Sequence, residues 1–460
     1  METIALHNIE ERRQQEQTRL DSLKSSAERN KWGQFATPPE LALSIARYAR
    51  DLLERGSVRF LDPAVGTGSF YSAPSQVFLR ESIEAATGIE IDPLFSETAA
   101  TLWGPSGLHI VTGDFTQQRP PPQRFNLVLT NPPYVRHHHL AASQKDRLRF
   151  QLAQSLNVDI SGLAGLYCYF MLLCHDWMED GALAVWLIPS EFMDVNYGVT
   201  LRRYLTERVT LLHIHRFSPT DVQFTDALVS SAVVVFRKLP PTPEHAARFS
   251  LAGPIERPQT ETLVPLETLR RSRKWTQFPG STSVSETGEL TLGDIFAIKR
   301  GLATGANNFF ILTEADAKKL RIPRPFLRPI LPGPRHLTDD IIEALPGEAP
   351  DVSPRLYLLD CDEPEEHIKT TWPLLYEYLQ QGRAKNIHAT YLASRRTPWY
   401  SQEQRPPAPF LCTYMGRSRN GKHPFRFLRN RSQATAHNVY LMMYVSKRPP
   451  ARRPKPTPGA

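Results

Sequence analysis

The chain has 460 residues, 41% of them hydrophobic and 22% charged, enough for more than one globular core and unlike a collagen or mucin composition. No apolar run approaches the roughly 18 residues of a membrane span, and Met1 to Asn30 is polar and of mixed charge, unlike a signal peptide, so a cytoplasmic protein is expected. The net charge of +8 is local: residues 401–460 hold 12 basic and one acidic side chain while residues 1–400 are slightly acidic, and a concentrated basic stretch suits a polyanion such as nucleic acid or a merely solubilising surface.

Residues 1–30, rich in Glu, Gln and Arg with sparse apolar positions such as Ile9, Leu20 and Leu23, are expected to form a solvated N-terminal helical extension. Over residues 31–240, short β-branched or aromatic runs alternate with helical stretches, the pattern of a doubly wound, Rossmann-like α/β sheet. Seven strands are expected, at Val58–Leu61, Gly88–Ile91, His109–Thr112, Asn126–Leu129, Leu183–Ile188, Leu211–Arg216 and Ser230–Phe236. The proline-rich Leu239 to Pro243 breaks this pattern and marks a domain boundary. Residues 241–445 then form a mixed α+β module with irregular stretches such as Arg321 to Arg335, and residues 446–460, mostly Pro, Arg and Lys, are expected to be a disordered basic tail. The four cysteines, Cys168, Cys174, Cys361 and Cys412, form no C-x-x-C pair, so neither a disulfide framework nor a zinc site is indicated.

The chemistry lies in loops that follow successive strands. Phe60-Leu61-Asp62-Pro63-Ala64-Val65-Gly66-Thr67-Gly68 leaves the first strand and opens a helix. Its glycines let the backbone approach a ligand beside free helix N–H groups, although a tight strand-to-helix turn explains the glycines equally well on their own. Glu90, some 20 residues on at the end of the next strand, is placed to accept hydrogen bonds from ribose hydroxyls. Asp114 and Phe115 follow the third strand, where a carboxylate can bind an adenine amino group and a ring can pack on the base. After the fourth strand comes Thr130-Asn131-Pro132-Pro133-Tyr134. The Asn131 side-chain oxygen and the Pro132 carbonyl can both accept from one exocyclic amino group, and the double proline holds them in fixed relation. Accepting both protons localises the nitrogen lone pair, and Tyr134 offers a face for a planar base.

These motifs resemble the S-adenosylmethionine-dependent adenine-N6 DNA methyltransferases of the gamma class, the TaqI type found in restriction-modification systems, over Trp32 to Tyr444. The resemblance implies that residues 31–240 are the methyltransferase domain and 241–445 a target-recognition domain on double-stranded DNA, with S-adenosyl-L-methionine as cofactor and a separately encoded restriction endonuclease as partner. In that family the Asn-Pro-Pro-Tyr motif holds the target amino group, as Asn131 to Tyr134 would here. Gly33-Gln34-Phe35-Ala36-Thr37-Pro38-Pro39 is similar to the motif whose threonine contacts the methionine carboxylate. Asp62, Ala64, Gly66 and Gly68 match the glycine loop, Glu90 the ribose ligand, Asp114 and Phe115 the adenine pocket, and Phe170 the aromatic lent by a following helix. Phe224, in Val222-Gln223-Phe224-Thr225-Asp226, matches the ring that stacks on the extruded adenine, which would offset part of the few kcal/mol lost on unstacking it.

Two further segments, Leu292-Gly293-Asp294-Ile295-Phe296 leading into Arg300-Gly301-Leu302-Ala303-Thr304-Gly305-Ala306-Asn307-Asn308-Phe309-Phe310, and Phe427-Leu428-Arg429-Asn430 followed by Ala436 to Leu441, resemble recognition-region patterns. Around the second lie Arg417, Arg419, Lys422, Arg426, Arg429 and Arg431, interleaved with Tyr414, Phe425 and Phe427 and suited to phosphate contacts. Relatives continue past Val439-Tyr440-Leu441 with more helical sequence, whereas this chain runs into Ser446-Lys447-Arg448-Pro449-Pro450, which implies a recognition domain truncated or completed by another chain. Three consecutive histidines, His137 to His139, cannot easily aim at one ion, so no metal is expected. Asn-Pro-Pro-Tyr also serves protein-glutamine and rRNA amino-methyltransferases, and a catalytically impaired DNA-binding remnant is the third reading.

Overall fold

The computed structural model describes residues 2–53, 56–218, 230–280, 292–414 and 425–446. They fall into two compact units, Met1–Glu286 and Thr287–Ala460. The first unit begins with α1 (Glu2–Ser22), α2 (Ser26–Trp32) and α3 (Pro39–Leu52). It continues β1 (Val58–Asp62), α4 (Ser69–Val77), β2 (Ile83–Glu90), α5 (Pro93–Trp103), β3 (Leu108–Thr112), β4 (Phe125–Thr130), α6 (Ala142–Leu156), α7 (Leu166–Leu173) and β5 (Met178–Pro189). It closes with α8 (Val199–Glu207), β6 (Thr210–Arg216), β7 (Ser231–Arg237), β8 (Ala246–Leu251), β9 (Thr260–Pro265) and α9 (Leu266–Arg271).

All seven expected strands are present, in a sheet of order β3-β2-β1-β4-β5-β7-β6-β8-β9. β1 to β5 are parallel to their neighbours within that group, and β7 runs antiparallel to both β5 and β6. β4 and the Ala182–Pro189 part of β5 are buried on both faces, which is why they read as unbroken apolar runs rather than alternating ones. Leu127 and Leu129 face a layer built from α3, α4 and α5, while Val128 faces the layer of α6, α7 and α8. On α6 the core stripe is Leu148, Leu152 and Leu156, four residues apart and therefore on one helical face.

Two expectations change. The turn at Leu239–Pro243 is not a domain boundary, because β8 pairs parallel with β6 and β9 closes the edge, extending the first sheet to nine strands. Nor is the N-terminal helix a solvated extension: Arg13 is 2% exposed, Leu20 1% and Glu10 8%. No helix among the described residues is long and apolar enough to cross a membrane.

The second unit is mixed α+β. A five-stranded sheet joins β10 (Phe296–Arg300), β13 (Ile341–Ile342), β15 (Phe410–Thr413), β16 (Phe427–Asn430) and β18 (Tyr440–Val445). A four-stranded one joins β11 (Ile311–Thr313), β12 (Leu327–Leu331), β14 (Leu356–Leu359) and β17 (Thr435–Ala436). The expected basic tail lies outside the described residues from position 447 on.

Candidate functional site

The strand order reverses between β1 and β4, and at such a switch point in a parallel sheet the loops diverge and leave a crevice at the strand ends. Here it is a cavity of about 540 Å³, lined among others by Ala64, Gly66, Glu90, Asp114, Phe115, Asn131 and Phe170. That size is within the range of small-molecule sites. Four successive strand ends thus deliver Ala64, Gly66, Glu90, Asp114, Phe115 and Asn131 to one place, and α7 adds Phe170.

Asn131 is held from one side. Its Nδ2 donates to the Phe35 carbonyl (2.9 Å) and to Thr37 Oγ1 (3.2 Å). With the amide donors taken, Oδ1 is fixed as the remaining acceptor, and it is buried with no hydrogen-bond partner. An unpaired buried acceptor costs about 1–3 kcal/mol, so its presence on a cavity wall points to a ligand that donates. The clamp is tight. Tyr134 N donates to Gly33 O (3.1 Å), and a Cβ on Gly33, whose φ is +63°, would stand 2.3 Å from that nitrogen. Thr37 is buried and does not line the cavity; in this structure it bonds to Asn131 and, through its carbonyl, accepts from Ser69 Oγ.

Glu90 spans the floor. Its Oε2 accepts from Gly66 N and its Oε1 from Asp92 N, both at 2.9 Å, so the carboxylate sets the glycine loop while each oxygen keeps acceptor capacity. Burial raises its pKa, against the opposing pull of those backbone bonds. Asp114 accepts from Thr116 N (2.9 Å), Thr116 Oγ1 (2.8 Å) and Gln117 Nε2 (2.8 Å). Phe115 and Phe170, with ring centroids 5.0 Å apart, make an apolar wall beside it. A Cβ on Gly66 would meet nothing within 4 Å, which leaves room for a ligand against this loop.

Other expected residues take different places. Asp62 is 1% exposed and off the cavity wall; its Oδ1 accepts from Thr130 Oγ1 (2.7 Å) and Ala64 N (3.1 Å), tying the end of β1 to that of β4. Burial pushes its pKa up to about 7 despite those bonds. Gly68 also lies behind the wall, where a Cβ would come within 2.5 Å of the Trp103 indole. Pro132 is buried, and Pro133 rather than Pro132 lines the cavity. Tyr134 offers no face to the cavity. Its ring packs in the core 5.6 Å from Phe35, and its hydroxyl donates to Leu187 O (3.1 Å), so it anchors the loop to β5. Phe224 lies outside the described residues.

Three lining residues, Gln17, Asp21 and Lys24, come from α1 and the turn after it, which sequence reasoning missed. Their neighbourhood carries no apolar stripe, and a Glu10–Arg13 pair three residues apart looks like any solvated helical pair.

Of the six basic residues expected to meet DNA, Arg417, Arg419 and Lys422 lie outside the described residues. Arg426 is committed to its own unit. It donates to Asp340 Oδ1 (2.8 Å), Leu337 O (2.8 Å) and Asp339 O (3.2 Å). Arg431 pairs with Glu343 at 2.7 Å on the surface, whereas Arg429 is exposed on β16 and its side chain makes no ion pair among the described residues. Elsewhere in the unit, the loop Ala303 to Phe309 lines a cavity of about 620 Å³. Arg396 holds this loop by donating to the Ala303 and Thr304 carbonyls at 2.8 and 2.9 Å.

Comparison with known proteins follows the same division. The Eco57I restriction-modification methylase family matches residues 112–223, and the C-terminal domain of the type II methyltransferase M.Eco57I matches residues 281–453. Type II methyltransferase M.XamI from Xanthomonas campestris pv. amaranthicola is 27% identical over 425 residues, 90% of this chain and 76% of that protein. M.AccI from Acinetobacter calcoaceticus is 23% identical over 434 residues, 91% of this chain and 77% of its own length. Among solved structures, the type IIL restriction-modification enzyme MmeI in complex with DNA shares the fold at a TM-score of 0.58 and 13% identity. That likeness covers 93% of this chain and 65% of MmeI.

Proposed function

We propose that this chain, which matches the Eco57I restriction-modification methylase models over residues 112–223 and 281–453 and is similar to type II DNA methyltransferases, transfers a methyl group from S-adenosylmethionine to the N6 amino group of an adenine turned out of double-stranded DNA. The observation that carries the reading is Asn131 Oδ1, a buried acceptor with no partner on the wall of a cavity whose other residues suit a nucleoside.

The residues present fit the cofactor. Glu90 keeps acceptor capacity for ribose hydroxyls, Asp114 for an adenine amino group, and Phe115 with Phe170 offers the apolar surface on which an adenine packs. When bound, S-adenosylmethionine supplies a methyl group made electrophilic by its sulfonium. The chain's own part is to prepare the nucleophile. Asn131 Oδ1 accepts an amino proton, which draws the nitrogen lone pair out of conjugation with the base. Phe35 and Thr37 prevent the amide from turning its donors toward the substrate. The amino group turns acidic only as its bond to the methyl carbon forms and the carbon–sulfur bond breaks, so its proton passes to water, a neutral amide acceptor is enough and no strong base is called for. Positioning and preset dipoles do the work. In this reading the ring that stacks on the target base is Phe224, since Tyr134 is occupied in the core.

The test is incubation with radiolabelled S-adenosylmethionine and duplex DNA, followed by mapping of the modified base. Wild type labels adenine, and Asn131→Ala binds the cofactor without labelling DNA. Label on cytosine, on RNA or on ribosomal protein, or wild-type rates in the variant, would sink the reading.

A further inference from the structure

Helix α1 is joined to the cavity by polar contacts that a spectator helix has no need of. Arg13, 2% exposed, donates to both carboxylate oxygens of Glu10, at 2.8 and 2.7 Å. Burial alone would raise the Glu10 carboxyl; the contacts with Arg13, together with hydrogen bonds from Ser72 and Gln14, reverse this and hold it below the usual range. A buried ion pair is a costly way to dock a helix, and what it contributes in return is a fixed register. That register is read by the glycine loop. The remaining Arg13 nitrogen donates to Thr67 Oγ1 (3.0 Å), and Thr67 Oγ1 donates to Gln17 Oε1 (2.8 Å). Thr67 is the residue between Gly66 and Gly68, so α1 grips the loop at its centre.

Further along, the turn that follows α1 reaches two other sides of the cavity. Lys24 Nζ bonds to Gln34 Oε1 (2.9 Å) in the segment that clamps Asn131, and to the carboxylate of Asp92, which caps α5 beside Glu90. The stretch Arg13 to Lys24 therefore links three walls that are far apart in sequence.

We propose that α1 is a working wall of the cofactor cavity and that Arg13 is a positioning residue. By holding Thr67 it keeps the Gly66–Gly68 backbone in the conformation that receives the ligand, so that cofactor binding and docking of α1 favour each other. This rests on the reading of the cavity as the S-adenosylmethionine site. Reciprocity follows from linkage: if docking of the helix strengthens binding, binding must tighten the helix by the same factor.

The experiment uses the full chain as wild type, Arg13→Ala and Arg19→Ala, the last a control on the solvent side of α1, where Arg19 pairs with Glu16. S-adenosylmethionine binding is measured by calorimetry, and hydrogen exchange of the amides of residues 10–24 is followed with and without it. Arg13→Ala is expected to raise the dissociation constant about tenfold, Arg19→Ala to leave it unchanged, and saturating cofactor to slow exchange along α1 in wild type. A folded Arg13→Ala that binds like wild type, an equal loss in Arg19→Ala, or exchange of α1 that ignores the cofactor each overturns the proposal. Should Arg13→Ala not fold, the wild-type exchange measurement decides alone. Wild type that binds no S-adenosylmethionine overturns this proposal and the cofactor assignment together, whereas normal binding without coupling overturns only this one.

Discussion

Asn131 in the first unit and Arg426 in the second are both polar side chains that the sequence marks as functional, and they differ in what their own chain leaves unbonded. Asn131 has its donors tied down and its acceptor bare. Arg426 spends its guanidinium on Asp340 and on the carbonyls of Leu337 and Asp339. A recognition group must retain hydrogen-bonding capacity after folding, and charge counted along a sequence says nothing of that remainder. Part of the basic excess of residues 401–460 is neutralised locally, Arg426 by Asp340, Arg431 by Glu343 and Arg405 by Glu403.

The contrast can be broken in four places. The largest effect is expected from Asn131→Ala, which should lower the single-turnover methylation rate by about 10²–10³-fold, the usual loss on deleting one preset dipole. Its cofactor dissociation constant should stay within about threefold of wild type.

Next is Asp62, a polar group that is bonded and still strained by burial. Its folded pKa of about 7 lies above the ordinary 3.8, so the folded state holds its proton more tightly than the unfolded one, and stability falls as pH rises from about 4 to about 7. Because both of its hydrogen bonds enter Oδ1, Asp62→Asn can keep them without the charge. Relative to wild type the variant should gain on the order of 2–4 kcal/mol between pH 4 and pH 8. Parallel pH dependences in thermal melts of the two proteins would refute this.

Arg426→Ala should cost about 1–2 kcal/mol of stability in the second unit, seen as a shifted melt, because several acceptors lose a charged donor. Smallest is Arg429→Ala: no change in the melt, but a salt dependence of DNA binding shallower by about one ion. If Arg426 rather than Arg429 changed the salt slope, the contrast between spent and spare charge would fail.

The strands of the first sheet were legible because β4 and β5, buried on both faces, have to be apolar throughout. β8 and β9 were not. β9 is Thr-Glu-Thr-Leu-Val-Pro with a mostly exposed pattern, an edge strand that its partner's hydrogen bonds define more than its own side chains do. Glu90, Asp114, Phe115 and Asn131 could be found from their places at strand ends, since topology alone sends strand ends to the crevice. The face taken by Tyr134 could not, because it depends on a carbonyl of β5 more than fifty residues away. For α1 the obstacle was similar: Arg13 is buried by the glycine loop, and nothing within α1 announces that partner.

The hydrogen bond from Asn131 to Phe35 closes a loop of 96 residues, and between its ends lie β1, β2, β3 and β4. Closing so long a loop costs chain entropy that is largely met once β1 to β4 have paired and brought its ends together. The orientation of the Asn131 amide is therefore expected to be among the last local structures completed in the first unit. In a refolding experiment, methyl transfer should be regained after sheet content and cofactor binding, which makes enzymatic activity a clock for the final step of folding.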